Sequence, residues 1–284
     1  MAIAADYELE FNGLRLGDGT DFDLVAHTGL GMPPVSRTDP LIAQQGGIHP
    51  GETFLTERVV DLVLEVDGTG ATSLSDNVAA LASAFLPGQP ESPFSFQLPG
   101  YAGGGARRIL ARPHLAEQPG TLEQFRGIAT VYLQLVATDP RIYADTETIA
   151  SVLLASDGGG LTWPLTWPLD WGSVTSGIVS VTNEGHATTG VRLSMYGPVT
   201  NPRVENITTG ETVELDLTIA AGDFVEVNTT TGVVLLNGTA SRRSSLTVGS
   251  TLFLLAAGVN ELRYAAQSGA GAQLGIGFRS AWFA

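Results

Sequence analysis

"VENITTGETVELDLTIAAGDFVEVNTTTGVVLLNG" (residues 204–238) carries Thr-Thr-Gly twice, at 208–210 and 230–232, each between runs of alternating apolar residues. Alternation at period two marks a strand with one buried face. In "TVELDL", Val213, Leu215 and Leu217 point inward while Glu214 and Asp216 face water. Thr favours the flanking strands and the Gly supplies a positive φ, so both tripeptides read as hairpin turns rather than as a ligand site.

Working outward, the runs "IVSVTN", "VRLSMYG", "DFVEVN", "VVLLNG", "LFLLAAG", "NELRYAA" and "LGIGFRSAWF" recur from residue 175 onward, separated by Gly, Asn, Pro and Thr. That spacing is the pattern of an antiparallel β-sandwich. Upstream, Tyr7, Leu9 and Phe11 alternate with glutamates before Asn12-Gly13, the strongest short hairpin signal. "RVVDLVLEVDG" is a strand with Val60, Leu62, Leu64 and Val66 on one face. Strands are also expected over 107–113 and 128–140, and a Gly- and Pro-rich loop or arm over 27–52. One helix is expected in "SLSDNVAALASAFLPG". Leu74, Val78, Leu81 and Phe85 form its stripe, Ser73 and Asp76 resemble a capping box, and Pro87-Gly88 stops it.

The 284 residues include 29 acidic side chains and 14 basic ones, all arginine, for a net charge of −15. Such a chain does not grip nucleic acid by counterion release, and it has no basic stripe for a membrane surface. No apolar run is long enough to span a bilayer, and the N-terminus lacks a signal-peptide pattern, so folding in a cytoplasm is expected. The absence of cysteine removes disulfides and thiolate metal sites. His27, His49, His114 and His186 are scattered, and no nucleophile elbow or P-loop occurs. Arg107 and Arg108 beside "YAGGG" could cradle a phosphate, and Asp21 with Asp23 could hold calcium. A hairpin tip and an incomplete ligand loop are the simpler readings. No catalytic, cofactor-binding or metal-binding residue is therefore assigned, and no cofactor is expected.

Asn201-Pro202-Arg203 also occurs in galactoside-binding sandwiches, where a His two positions earlier and a later stacking Trp complete the site. Here that earlier position is Val199, and no Trp occurs between 172 and 281. The simpler reading is that Pro202 starts a strand, where its missing N–H costs little. Trp163, Trp167 and Trp171 cluster in "SDGGGLTWPLTWPLDWG" (156–172), which marks a domain boundary. The rings cover a linker seam on one reading and form a sugar platform on another.

The whole chain resembles the distal tail proteins of long-tailed, siphovirus-like bacteriophages. The resemblance rests on Asn183 to Gly185, Gly197 to Asn206, Thr209-Gly210, Gly222 to Asn228 and Leu255 to Leu262. The opening "YELEFNGLRLGDGTDF" and the closing "ATDPRIYAD" of the first half fit as well. It implies a mainly β fold with a ring-forming N-terminal domain that carries one α-helix (1–155), a linker (156–172) and a galectin-like antiparallel β-sandwich (173–284). It implies a non-enzymatic virion protein, a homo-hexameric ring at the tail tip. The implied partners are a tail tube protein, a tail-tip or fibre protein and receptor-binding proteins. A carbohydrate-binding module for host-surface glycans is the competing reading, and a glycosidase a third, for which no acid/base pair is identified.

Overall fold

A computed structural model of the protein describes residues 3, 5–42, 46–70, 72–118, 120, 124, 126–155 and 176–284. The chain divides into two compact units, Met1–Asp145 with Trp282–Ala284, and Thr146–Ala281.

The first unit contains β1 (Glu8–Phe11), β2 (Leu14–Gly17), β3 (Phe22–Thr28), β4 (Val35–Arg37), β5 (Thr53–Leu55), β6 (Arg58–Asp67), α1 (Leu74–Ala84), β7 (Ser92–Gln97), β8 (Arg107–Glu117), β9 (Ile128–Ala137) and β10 (Ile142–Ala144). Its main sheet runs β2-β1-β7-β8-β9-β6-β3, antiparallel throughout, and β10 adds to β8. The period-two pattern dictates which face is buried. Leu9, Phe11, Val60, Leu62, Leu64, Val66, Phe94, Phe96, Leu133 and Leu135 share one core with Leu81 and Phe85 of the helix side. The Phe85 ring lies 4.8 Å from that of Phe11.

The helix is closed at both ends by side chains. Ser73 Oγ accepts the Asp76 N–H at 3.2 Å and donates to the Asp76 carboxylate at 2.7 Å. Such a cap is worth about 1 kcal/mol. At the other end the Asn12 side-chain amide donates to the Ala84 carbonyl at 2.8 Å. Asn12 and Gly13 both have positive φ, so the predicted Asn-Gly turn also holds the helix terminus.

The segment expected as an irregular arm carries a small ladder of its own, with Val35 opposite Leu55 and Arg37 opposite Thr53. No core lies beneath it. Met32, Val35, Leu41, Ile48, Phe54 and Leu55 are all exposed, Leu41 by 82%.

The second unit is a sandwich. Its elements are β11 (Thr148–Leu153), β12 (Ile178–Asn183), β13 (Val191–Tyr196), β14 (Val199–Asn206), β15 (Glu211–Glu214), β16 (Thr218–Ile219), β17 (Phe224–Asn228), β18 (Val233–Leu236), β19 (Ala240–Ser241), β20 (Gly258–Gly269) and β21 (Gln273–Phe278). A last short strand, β22, covers Ala281–Trp282. One sheet has the order β11-β21-β13-β17-β18-β19, and the other β12-β20-β14-β15 with β16 beside β14. Leu193, Met195, Val225, Val227, Leu274 and Ile276 from the first sheet meet Val204, Val213, Leu262 and Tyr264 from the second.

Two expectations are corrected here. Thr148–Leu153, assigned from sequence to the first domain, pairs along Gln273–Phe278, so the first unit ends at 145 rather than 155. The expected linker (156–172) and its three tryptophans lie outside the described residues. "LFLLAAG" is not a strand. Phe253 and Leu255 are buried, but only Leu255 bridges, exchanging both backbone hydrogen bonds with Thr189.

Candidate functional site

The residues that carried the sequence resemblance are turn locks. Asn206-Ile207-Thr208-Thr209-Gly210 and Asn228-Thr229-Thr230-Thr231-Gly232 are two copies of one device. In each, the glycine N–H donates to the backbone carbonyl of the asparagine four residues earlier, at 2.7 and 2.8 Å. In each, that asparagine's Oδ1 accepts turn N–H groups: Thr208 in the first copy, Thr230 and Thr231 in the second. Both glycines have positive φ. The shared pattern Asn-x-Thr-Thr-Gly was visible in the sequence and marks an Asx-type turn, not a ligand site.

Asn183 and Asn260 do the same over longer range. The Asn183 amide donates to the Ala187 and Ala256 carbonyls, and its Oδ1 accepts from Gly185 and Ala281. Asn260 accepts the Ala256 N–H and donates to Ala256 and Gly258. Both are fully buried, where each unmet polar atom would be costly.

Asn201-Pro202-Arg203 lies inside β14, not at its start as the sequence suggested. Asn201 takes φ +50° and breaks the regular pairing with β20, which lets proline sit within a strand. Asn201 Nδ2 donates to Gln267 Oε1 at 2.8 Å, and Arg203 reaches only Thr212 at 3.5 Å and Glu205 at 3.9 Å. Together with Glu214 and Ala265 these side chains border an open trough of about 350 Å³. Val199, in the place of a ligand-facing histidine, is buried in the core.

In the first unit, Arg58 is fully buried although it flanks the strand run that reads as an ordinary half-exposed one. Its Nε donates to Pro140 O at 2.9 Å, Nη1 to Gly29 O and Gly31 O at 2.6 and 2.7 Å, and Nη2 to Phe283 O at 2.6 Å. Burial pulls its pKa down to about 10, against the opposing pull of Asp139, so it stays charged at neutral pH. One guanidinium thus ties the root of the exposed arm to the end of β9 and to the C-terminus. Nothing local in the sequence signals this, because the four acceptors come from distant positions.

Arg107 does not cradle an anion. Its Nε donates to Ala102 O at 2.8 Å, and its guanidinium stacks 4.0 Å above the Trp282 ring. Asp21 accepts from Asn77, and among the described residues no group of three metal-ligating side chains forms. Burial lowers the pKa of His27, whose ring packs edge-on against Tyr101. Tyr143 is raised by burial and by its 2.5 Å hydrogen bond to Asp139. Neither of these groups stands beside a nucleophile that it could activate.

Surfaces, rather than a catalytic cluster, are the features left open. Beyond Ala111, β8 has no strand partner among the described residues on the side where β7 lies, and β3 pairs only with β6. The strands β8, β9, β6 and β3 therefore form a four-stranded antiparallel stretch with two free edges, beside the exposed apolar arm.

Residues 184–282 match the family model described as "Siphovirus-type tail component, C-terminal domain". Among solved structures, the chain is similar to the Dit (gp 19.1) protein of phage SPP1, described as a paradigm of the hub adsorption apparatus in phages infecting Gram-positive hosts. That likeness has a TM-score of 0.67 at 14% identity over 95% of this chain and 97% of that one. It is also similar to a chain of the phage P2 baseplate in its activated conformation with Ca, with a TM-score of 0.52 at 10% identity over 95% and 96%. No protein of curated function matches the sequence. The solved structures share the fold, and the sequence model covers the domain in which the asparagine turn locks sit. The family match thus extends over the second unit, and the likeness to the solved structures extends over the fold of nearly the whole chain.

Proposed function

We propose that the chain is a structural, non-catalytic component of a phage virion, a distal tail hub. In this reading six copies form a ring through the first unit and join the tail tube to the tail tip and host-adsorption apparatus. The second unit presents its sandwich to a fibre or receptor-binding protein. The observation that carries this is the family match over 184–282, in a chain whose fold follows a phage hub protein over nearly its full length. Two features of the first unit support ring formation: free edges on an antiparallel sheet, and an apolar arm with no core of its own.

Charge supports a ring that DNA traverses without sticking. Residues 1–155 hold 19 acidic and 8 basic side chains, net −11, and 156–284 hold 10 and 6, net −4. An acidic bore repels phosphate and keeps passage non-adhesive. Mass photometry of the purified 29.6 kDa chain tests the proposal. A hexamer is expected. A clean monomer at tens of micromolar, or a ring with an arginine-lined bore, refutes it.

A further inference from the structure

We infer that Trp282 and Phe283 form a strap that closes the first unit only after the sandwich has folded. The inference concerns a single chain and stands apart from the ring reading. The first unit is discontinuous in sequence. It takes in residues up to Asp145 and then Trp282–Ala284, with the whole second unit inserted between them. The returning residues belong to its interior. Trp282 is buried in the core that holds Phe11, Phe94 and Leu133, and β22 pairs with β10. Two arginines clamp them. The Arg107 guanidinium stacks on the Trp282 ring, and Arg58 Nη2 donates to Phe283 O. Arg107 also donates to Ala102 O and Ala106 O, in a loop where Ala102, Gly103, Gly104 and Gly105 all take positive φ. Alanine rarely adopts that conformation, so the loop depends on the clamp to hold it. Arg58 meanwhile holds Gly29 and Gly31 at the root of the arm. The strap thus shares its two arginines with the 101–106 loop and with the arm root.

Chain entropy sets the order. Arg58 and Phe283 lie 225 residues apart in sequence. Closing so long a loop in an unfolded chain costs more than pairing strands within the sandwich. The folded sandwich shortens that loop. Thr148 pairs opposite Phe278, so once β11 and β21 have joined, only a few residues lead back to β10 on one side and on to β22 on the other. Ala281 is itself held in the sandwich. Its N–H donates to Asn183 Oδ1, it bridges to Ala187, and the next residue is Trp282. The sandwich therefore delivers the strap, and the core of the first unit lacks its Trp282 side chain until it does.

Pulse-labelled hydrogen exchange during refolding from urea tests the order. Amides of β13, β17 and β20 should gain protection first, and those of Gly29–Gly31 and 101–107 together in a later phase. Protection at the arm root that appears before that of the sandwich, or along with it, overturns the inference. Two substitutions test the strap at equilibrium. Trp282→Leu keeps an apolar side chain and should retain the fold by circular dichroism. It should speed exchange roughly tenfold or more at Gly29–Gly31 and 101–107 and leave the sandwich unchanged. Trp282→Phe keeps a ring for Arg107 and should restore most of the lost protection. A leucine variant that exchanges as the wild type does, or a phenylalanine variant no better protected than the leucine one, overturns the inference.

Discussion

Replacing Arg58 by methionine is the sharpest test of how the first unit holds its arm. The substitution keeps a long side chain and removes every donor. Four carbonyls, at Pro140, Gly29, Gly31 and Phe283, then lose their hydrogen-bond partner at once. A stranded buried acceptor costs about 1–3 kcal/mol, and hydrogen bonds to a charged group are worth somewhat more than neutral ones. Part of that loss is offset, because the guanidinium no longer has to be desolvated. The balance is a net destabilisation of about 3–5 kcal/mol, or roughly 10 °C in melting temperature for a unit of this size. Lysine should recover only part of the loss, since one ammonium cannot span four acceptors. Hydrogen–deuterium exchange reads the effect segment by segment. Opening should become easier at Gly29–Gly31 and at the adjoining ends of β6 and β9, with the second unit unchanged. Exchange free energies within about 1 kcal/mol of wild type throughout the first unit would refute the assignment of Arg58 as its tie.

Other substitutions test other links. Tyr264 is fully buried, and its hydroxyl has no partner among the described residues. Tyr264→Phe should therefore be neutral or stabilising by about 1 kcal/mol in urea unfolding at neutral pH. Burial raises the folded-state pKa of Tyr264, so its contribution is intact below the unfolded value near 10 and is lost as pH climbs above it; the phenylalanine variant should lose less stability at alkaline pH. Asn260→Ala removes three hydrogen bonds from a buried site and should cost about 2–3 kcal/mol by the same unfolding measurement. Gly185→Ala would place a methyl 1.7 Å from the Ala281 carbonyl oxygen, and a soluble, fully folded variant would contradict the packing described there. Arg203→Ala should leave glycan-array signals unchanged at background, because Val199 is buried and no ring stacks at the trough; a galactoside held at millimolar affinity and lost in the variant would show the opposite.

Much of the fold could be read locally because local chemistry decides it. Asn12-Gly13 needs positive φ and therefore turns the chain, and the structure uses the same asparagine to close the helix. The alternation over 60–66 fixes which face of β6 is buried, since a one-residue slip would reverse it. The two Thr-Thr-Gly turns are legible as turns, and the asparagine they share shows its part only when its Oδ1 meets the turn N–H groups. Non-local features escaped. Arg58 looks like a charge beside a strand until the four carbonyls are brought to it. Pro202 looks like a strand start until Asn201 supplies the kink that admits it. The strand at 148–153 belongs to the second unit because its partner, 273–278, lies far along the chain, a pairing that no local pattern shows.

The same distinction bears on where function sits in this molecule. Asn183 and Asn260, two conspicuous motif residues of the second unit, spend their side-chain polar atoms on backbone groups within a few ångströms, which leaves little there to bind a ligand. Asn183 and Asn260 use both ends of their amides, and Asn228 binds two N–H groups with one oxygen. A pattern of this kind is held by the needs of the fold and says little about partners. Among the described residues, Arg112 and His114 at an open sheet edge and six large apolar side chains on the arm are exposed groups of a less conspicuous kind. If the proposed hub role holds, these are the groups that a neighbouring copy or an adjoining tail protein would satisfy.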